Sequence, residues 1–140
     1  MNKVFAHEVQ VHTADFDPAG IVFYPQFLVM SDGTKDDWFA RGLGHSRLEL
    51  LSRRRLHVEP ENVSCKFSLP LRMGEALRFE LSVLKIDAAS VRIRIVGRRH
   101  TVEHLSITQT FSFVSLDTRR AVPIPADLRP RIEEYLAEPD

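Results

Sequence analysis

The stretch from Asp15 to Pro25, Asp-Phe-Asp-Pro-Ala-Gly-Ile-Val-Phe-Tyr-Pro, holds the side chains best placed to do chemistry. Proline pushes Asp17 out of the helical region and favours a turn. Gly20 permits a positive φ that other residues resist. Pro25 suits the first turn of a helix, where a missing N–H costs nothing. Backbone N–H groups of that first turn have no partner inside the helix, and the helix dipole adds to their pull on an anion. A carboxylate on a tight turn therefore stands beside a cluster of N–H donors. That is a base or nucleophile next to an oxyanion site, the pairing that acyl transfer requires. Asp-Pro-x-Gly is also an ordinary turn, and an Asp before a helix often only caps it.

The elements on either side must position this turn. Phe5 and Val9 alternate with Glu8 and Gln10, the period-two signal of a half-buried strand. A helix of roughly 16 residues follows the turn and stops at Gly42-Leu43-Gly44, where glycine ends helices. Its apolar Phe27, Leu28, Met30, Trp38 and Phe39 are interrupted by Ser31-Asp32-Gly33-Thr34, so tertiary packing must hold it. Gly33 in mid-helix predicts close approach of another backbone. Ser46 and Glu49 form a capping box for a short helix that runs into Arg53-Arg54-Arg55.

Period-two alternation then returns in four blocks: Val63 to Leu69, Leu77 to Val83, Val91 to Ile95, and Leu105 to Phe113. Short connectors at Arg72–Glu75, Asp87–Ser90 and His100–Glu103 predict antiparallel hairpins between them. Ile124, Leu128, Ile132 and Leu136 recur every fourth residue, a short amphipathic helix with Asp127 as cap and Pro130 in its first turn. The order is strand, long helix, four strands, short helix, an α+β arrangement.

One hundred and forty residues, 44% hydrophobic and 27% charged, make a single domain spanning 1–140. Zero formal net charge argues against nucleic-acid binding driven by charge. No apolar run reaches membrane-spanning length, no leader-like stretch follows Met1, and Cys65 is the single cysteine, so a soluble cytoplasmic protein without membrane insertion is expected. The six histidines lack metal-ligand spacing, and no metal or cofactor is expected. His45, His57, His100 and His104 read as surface or structural residues, and Cys65 as a small core residue beside Val63 and Phe67.

The string Asp-x-Asp-Pro-x-Gly-Ile-Val-Phe-Tyr-Pro, followed by Gln26-Phe27, closely resembles the signature of the 4-hydroxybenzoyl-CoA thioesterase family. Val63-Ser64-Cys65 and Ile124-Pro125-Ala126-Asp127 support the resemblance across nearly the whole chain. It implies a hotdog fold: a five-stranded antiparallel sheet wrapped around one long helix, with sheets paired across a dimer or tetramer. It also implies an acyl-CoA thioester hydrolase, with coenzyme A thioester as substrate. In that reading Asp17 acts as nucleophile or general base, the backbone N–H of Tyr24 polarises the carbonyl, and Pro18 and Gly20 shape the turn. Asp15 is the rival carboxylate.

The acyl pocket implied by the resemblance lies between the long helix at Met30, Asp32 and Gly33 and the strand region from Pro60 to Val63. Asp32 could read a hydroxyl on the acyl group, because a buried carboxylate needs a partner. That favours an aromatic, hydroxybenzoyl-like acyl group; other short or medium acyl groups fit the family. Arg92 and Arg94 share a strand face and are candidates for the coenzyme A phosphates, although arginines so placed also make an ordinary solvated face. Two rival readings exist. A hotdog hydratase or dehydratase would need a histidine with its acid, and Pro25 occupies the position where a related branch carries one. A non-catalytic acyl-thioester binding or scaffold protein would have no need of the Asp17 carboxylate.

Overall fold

The five strands among the described residues join one antiparallel sheet, in the order β1-β3-β4-β5-β2. The computed structural model describes residues 3–10, 24–69 and 75–137. β1 is Phe5–Gln10, β2 Leu56–Phe67, β3 Ala76–Ile86, β4 Ser90–Arg99 and β5 Val102–Ser115. The expected hairpins form between β3 and β4 and between β4 and β5. The third does not. β2 pairs with β5, from Leu56 opposite Ser115 to Phe67 opposite Leu105, while β1 takes the free side of β3. The connector at Arg72–Glu75 therefore links strands that are not neighbours, and β2 becomes an edge.

The edge position explains a second correction. The alternation of Val63, Cys65, Phe67 and Leu69 predicts a buried face. Instead Val63 is 47% exposed, Phe67 40% and Leu69 45%. Cys65 is half-buried against the core, and Val58 is the part of β2 that is fully covered. The strand also starts seven residues before Val63, directly after Arg55, whose left-handed conformation (φ 52°) ends a helix.

The long helix α1, Tyr24–Asp37, lies against the sheet and continues as a wider π-helical turn over Trp38–Gly42. In that turn Leu43 N–H donates to Trp38 C=O at 2.9 Å. The widening places Trp38 and Phe39 together in the core, against Phe111 at ring distances of 6.4 and 5.7 Å. The buried stripe of α1 runs Phe27, Met30, Ser31, Thr34, Lys35 and Trp38. That is helical spacing, but half of the stripe is polar, which explains why the helix reads poorly from composition. Each hydroxyl finds a partner. Ser31 donates to Leu28 C=O at 2.9 Å and Thr34 to Met30 C=O at 3.3 Å, with His7 Nδ1 3.0 Å from the Thr34 hydroxyl.

Gly33 points away from this stripe. A Cβ built on it would meet nothing within 4 Å, so the expected close backbone approach is not seen among the described residues. The close approaches belong to Gly97 on β4, where a Cβ would stand 2.9 Å from Phe79 and 3.0 Å from Leu105, and to Gly42 beside Trp38. Gly44, with φ +83°, follows the helix as expected.

α2, Arg47–Arg54, is capped by Ser46, whose hydroxyl accepts from Glu49 N–H at 3.0 Å. The Glu49 carboxylate lies 3.4 Å from His45 Nδ1 and 3.7 Å from Arg53. α3, Arg129–Glu133, has Pro130 in its first turn, but Asp127 is not its cap. Asp127 instead accepts two hydrogen bonds from Arg54, at 2.9 and 2.7 Å, tying α2 to the approach to α3. One long helix against a five-stranded antiparallel sheet, closed by a short C-terminal helix, is the hotdog fold.

Candidate active site

α1 begins at Tyr24. The first-turn N–H groups of a helix lack intrahelical partners, so a donor set is available at this end. Asp15, Asp17, Pro18 and Gly20 lie outside the described residues. The site is therefore built from what the helix presents beyond its first turn.

Leu28, Ser31, Asp32 and Lys35 stand at four, seven, eight and eleven residues after Tyr24, one face of a helix. Together they line a cavity of about 220 Å³ between α1 and the sheet. Pro60 and Val63 of β2 form its opposite side, and Ile95, Ile107 and Gln109 its floor. Of the residues expected to hold the acyl group, the structure brings Asp32 and Val63 to this cavity. Met30 sits in the core, 8% exposed, and Gly33 lines a separate shallow groove with His7, Asp36 and Ser46. Arg92 and Arg94 lie on the outward face of β4, opposite Thr110 and Thr108, while their neighbours Ile93 and Ile95 face inward. Arg94 donates to Ser106 at 3.2 Å and lies 3.7 Å from Glu103. Neither arginine shares the face of the sheet that carries the cavity.

Polar groups of the cavity wall are linked. Lys35 is 1% exposed, and its ammonium donates to Gln109 Oε1 at 2.7 Å. The same nitrogen lies 3.6 Å from Asp32 Oδ1 and 5.7 Å from the centre of the Phe111 ring. Arg47 of α2 donates to Asp32 Oδ2 at 2.9 Å and to Asp36. Burial pulls the Lys35 ammonium below the ordinary lysine range, and the positive charge of Arg47 adds to this, against the opposing pull of Asp32 and Asp36. Burial alone would raise the Asp32 carboxyl, but the Arg47 hydrogen bond and the charges of Arg47 and Lys35 outweigh it, and the carboxyl ends below its ordinary value. Arg47 is held above its ordinary range: burial lowers it, and hydrogen bonds to Asp36 and Asp32 more than reverse that.

Inspection of the sequence for catalytic motifs passes over Lys35 and Gln109. Their signal is present all the same. Lys35 falls on the stripe shared by Phe27 and Trp38, and Gln109 interrupts the apolar series Leu105, Ile107, Phe111, Phe113 of β5. Among the described residues, no group of three or more His, Cys, Asp or Glu could hold a metal ion, and no helix is long and apolar enough to cross a membrane.

Comparison with known proteins decides the family. The model of the thioesterase-like superfamily matches residues 11–132, which include the turn from Asp15 to Pro25. The chain belongs to the thioesterase-like superfamily. Among curated superfamily relatives, the 1,4-dihydroxy-2-naphthoyl-CoA hydrolase of Thermosynechococcus vestitus is 28% identical over 119 residues, 84% of this chain and 81% of that one. Among solved structures, a thioesterase superfamily protein from Jannaschia sp. superimposes with a TM-score of 0.90 at 20% identity, over 99% of this chain and 96% of that chain. A gentisyl-coenzyme A thioesterase superimposes with a TM-score of 0.81 at 21% identity, over 91% and 98%. The superfamily and the hotdog fold expected from the motif are both borne out.

Proposed function

We propose that this protein hydrolyses the thioester of a hydroxylated aromatic acyl-CoA, the whole chain acting as one hotdog domain. The observation that carries the acyl class is the cavity beside α1, apolar along most of its wall and closed by a buried cation. An apolar cavity of about 150 Å³ takes a benzene ring, so one of about 220 Å³ takes a substituted ring. The reaction class is supported by the superfamily, and the aromatic class by the relative that acts on 1,4-dihydroxy-2-naphthoyl-CoA.

In this reading the carbonyl sits against the Tyr24 backbone N–H at the start of α1, where donors stabilise the developing oxyanion. Asp17 attacks it, or takes a proton from the attacking water, on a turn shaped by Pro18 and Gly20. The acyl group runs along α1 past Leu28 and Ser31 toward Asp32 and Val63. We place Met30 and Gly33 as support for this wall, and the coenzyme A nucleotide outside the cavity, with Arg92 and Arg94 as its candidate contacts on an assembled protein. The cytoplasm is the setting that a single cysteine suits.

A panel of acyl-CoAs tests this. Release of free thiol should be fastest from 1,4-dihydroxy-2-naphthoyl- and 4-hydroxybenzoyl-CoA, slower from benzoyl-CoA and slowest from palmitoyl-CoA, read as kcat/KM. A preference for long saturated chains would overturn the acyl class. Binding without release from any of them would favour the scaffold reading.

A further inference from the structure

The cavity surface is mostly apolar, and one of the polar groups in its wall, Lys35, is unusual. Leu28, Pro60, Val63, Ile95 and Ile107 could be filled by any hydrocarbon. Lys35 could not be placed there without reason. A buried ammonium is costly unless partners satisfy it. Three N–H donors are available on it. Gln109 takes one at 2.7 Å, and Asp32, an ion-pair partner at 3.6 Å, can engage a second. The Phe111 ring offers only its π face. Among the described residues these are its acceptors, so one N–H donor remains toward the space it lines.

Asp32 is less suited to touch the acyl group. One of its oxygens accepts from Arg47, the other faces Lys35, and the residue is half-exposed. Arg47 also holds Asp36, so two cations and two carboxylates form a chain across α1 and α2. That chain leaves Asp32 as a counter-ion that positions the lysine.

We propose that Lys35 is the specificity-determining residue of the acyl pocket, donating a hydrogen bond to a hydroxyl or phenolate oxygen on the ring of the acyl group. This rests on the hydrolase reading above. Side chains on a helix lean toward its N-terminus, so the ammonium is carried from residue 35 back toward the carbonyl position at Tyr24. A ring placed between them meets the N–H donors of the helix start with its carbonyl and Lys35 with its far oxygen. Gln109 anchors the ammonium from β5, so both layers of the fold define the reading distance. An ammonium donates and cannot accept, so the oxygen it reads must be an acceptor, best of all an ionised one.

The test compares wild type with Lys35→Met, which keeps the length and removes the charge, and with Lys35→Gln, which keeps a neutral donor. For each, kcat/KM is measured for 4-hydroxybenzoyl- against benzoyl-CoA and for 1,4-dihydroxy-2-naphthoyl- against 2-naphthoyl-CoA. Affinity is measured in parallel for the non-hydrolysable thioethers 4-hydroxyphenacyl-CoA and phenacyl-CoA. Wild type should favour the hydroxylated member about 10- to 100-fold, the scale of a hydrogen bond to a charged group. Lys35→Met should bring that ratio close to unity, and Lys35→Gln should fall between. An equal loss on both members of each pair, or an unchanged ratio in Lys35→Met, would overturn the proposal. So would a failure of both variants to fold combined with a wild type that shows no hydroxyl preference. If no thioester is cleaved but 4-hydroxyphenacyl-CoA binding still depends on Lys35, the hydrolase reading falls and the pocket assignment stands.

Discussion

Two residues set the chemistry proposed here, one at each end of the acyl group. Asp17 is the acid of the Asp-x-Asp-Pro-x-Gly turn, and its neighbour Asp15 is the control. Asp17→Asn keeps the shape of the side chain and removes its ability to attack or to take a proton. Turnover should fall by about two to four orders of magnitude, the scale of losing a general base, with thermal stability unchanged. Activity that survives Asp17→Asn and disappears in Asp15→Asn would reverse the assignment of the two carboxylates. At this scale the sequence is informative about the turn and nearly silent about Lys35. The turn residues carry their meaning in their own backbone chemistry. A lysine carries its meaning only once it is known to lie on the buried stripe of a helix opposite Gln109, a relation across 74 positions.

At the scale of elements, period and punctuation were legible where local physics decides them. Alternation located the strands β3, β4 and β5, the Ser46 cap located α2, and Gly42-Leu43-Gly44 marked the end of the π-helical turn that continues α1. What failed depends on neighbours distant in sequence. The alternation of Val63, Cys65 and Phe67 is real, but burial of that face depends on whether a strand is central or at an edge, and β2 is at an edge. Asp127 has the residue type of a cap, yet Arg54 competes for it and wins with two hydrogen bonds. That pair has a pH signature. The Arg54 hydrogen bonds hold the Asp127 carboxyl at about 2, below its ordinary 3.8. A depressed carboxyl stabilises the fold fully above the unfolded value, and the contribution is lost as pH falls from about 4 to about 2. Asp127 is 48% exposed, so solvent screening keeps the effect below about 1 kcal/mol. Asp127→Asn should lower the melting temperature slightly at pH 7, and the difference from wild type should narrow as pH falls below about 4 and close below about pH 2. A gap that stays constant across that range would show that the carboxylate charge is not what stabilises the contact.

Whole-molecule organisation depends on the edge strand β2. Among the described strands β2 stands at one end of the sheet, and it carries Val63, 47% exposed, and Phe67, 40% exposed. A single chain in water would manage such an edge with charge, proline or a covering element. This strand has Pro60 and the charged Glu59, Glu61 and Lys66, and beyond Pro60 its Val63 stands beside the cavity of α1. Val63 belongs to both surfaces: it lines the cavity and it lies on the exposed strand. An assembly through β2 would therefore cover the exposed Val63 and close the acyl pocket in the same step, and loss of assembly would cost activity as well as stability. Light scattering at micromolar concentration should give at least a dimer, with a tetramer also consistent. Phe67→Glu, which puts a charge where Phe27 now packs at 4.9 Å, should shift the mass toward the monomer and lower kcat/KM. Wild type that is a stable monomer at full activity would overturn this view of the edge. A Phe67→Glu monomer with undiminished kcat/KM would separate the two roles, leaving the strand as an interface and the pocket complete within one chain.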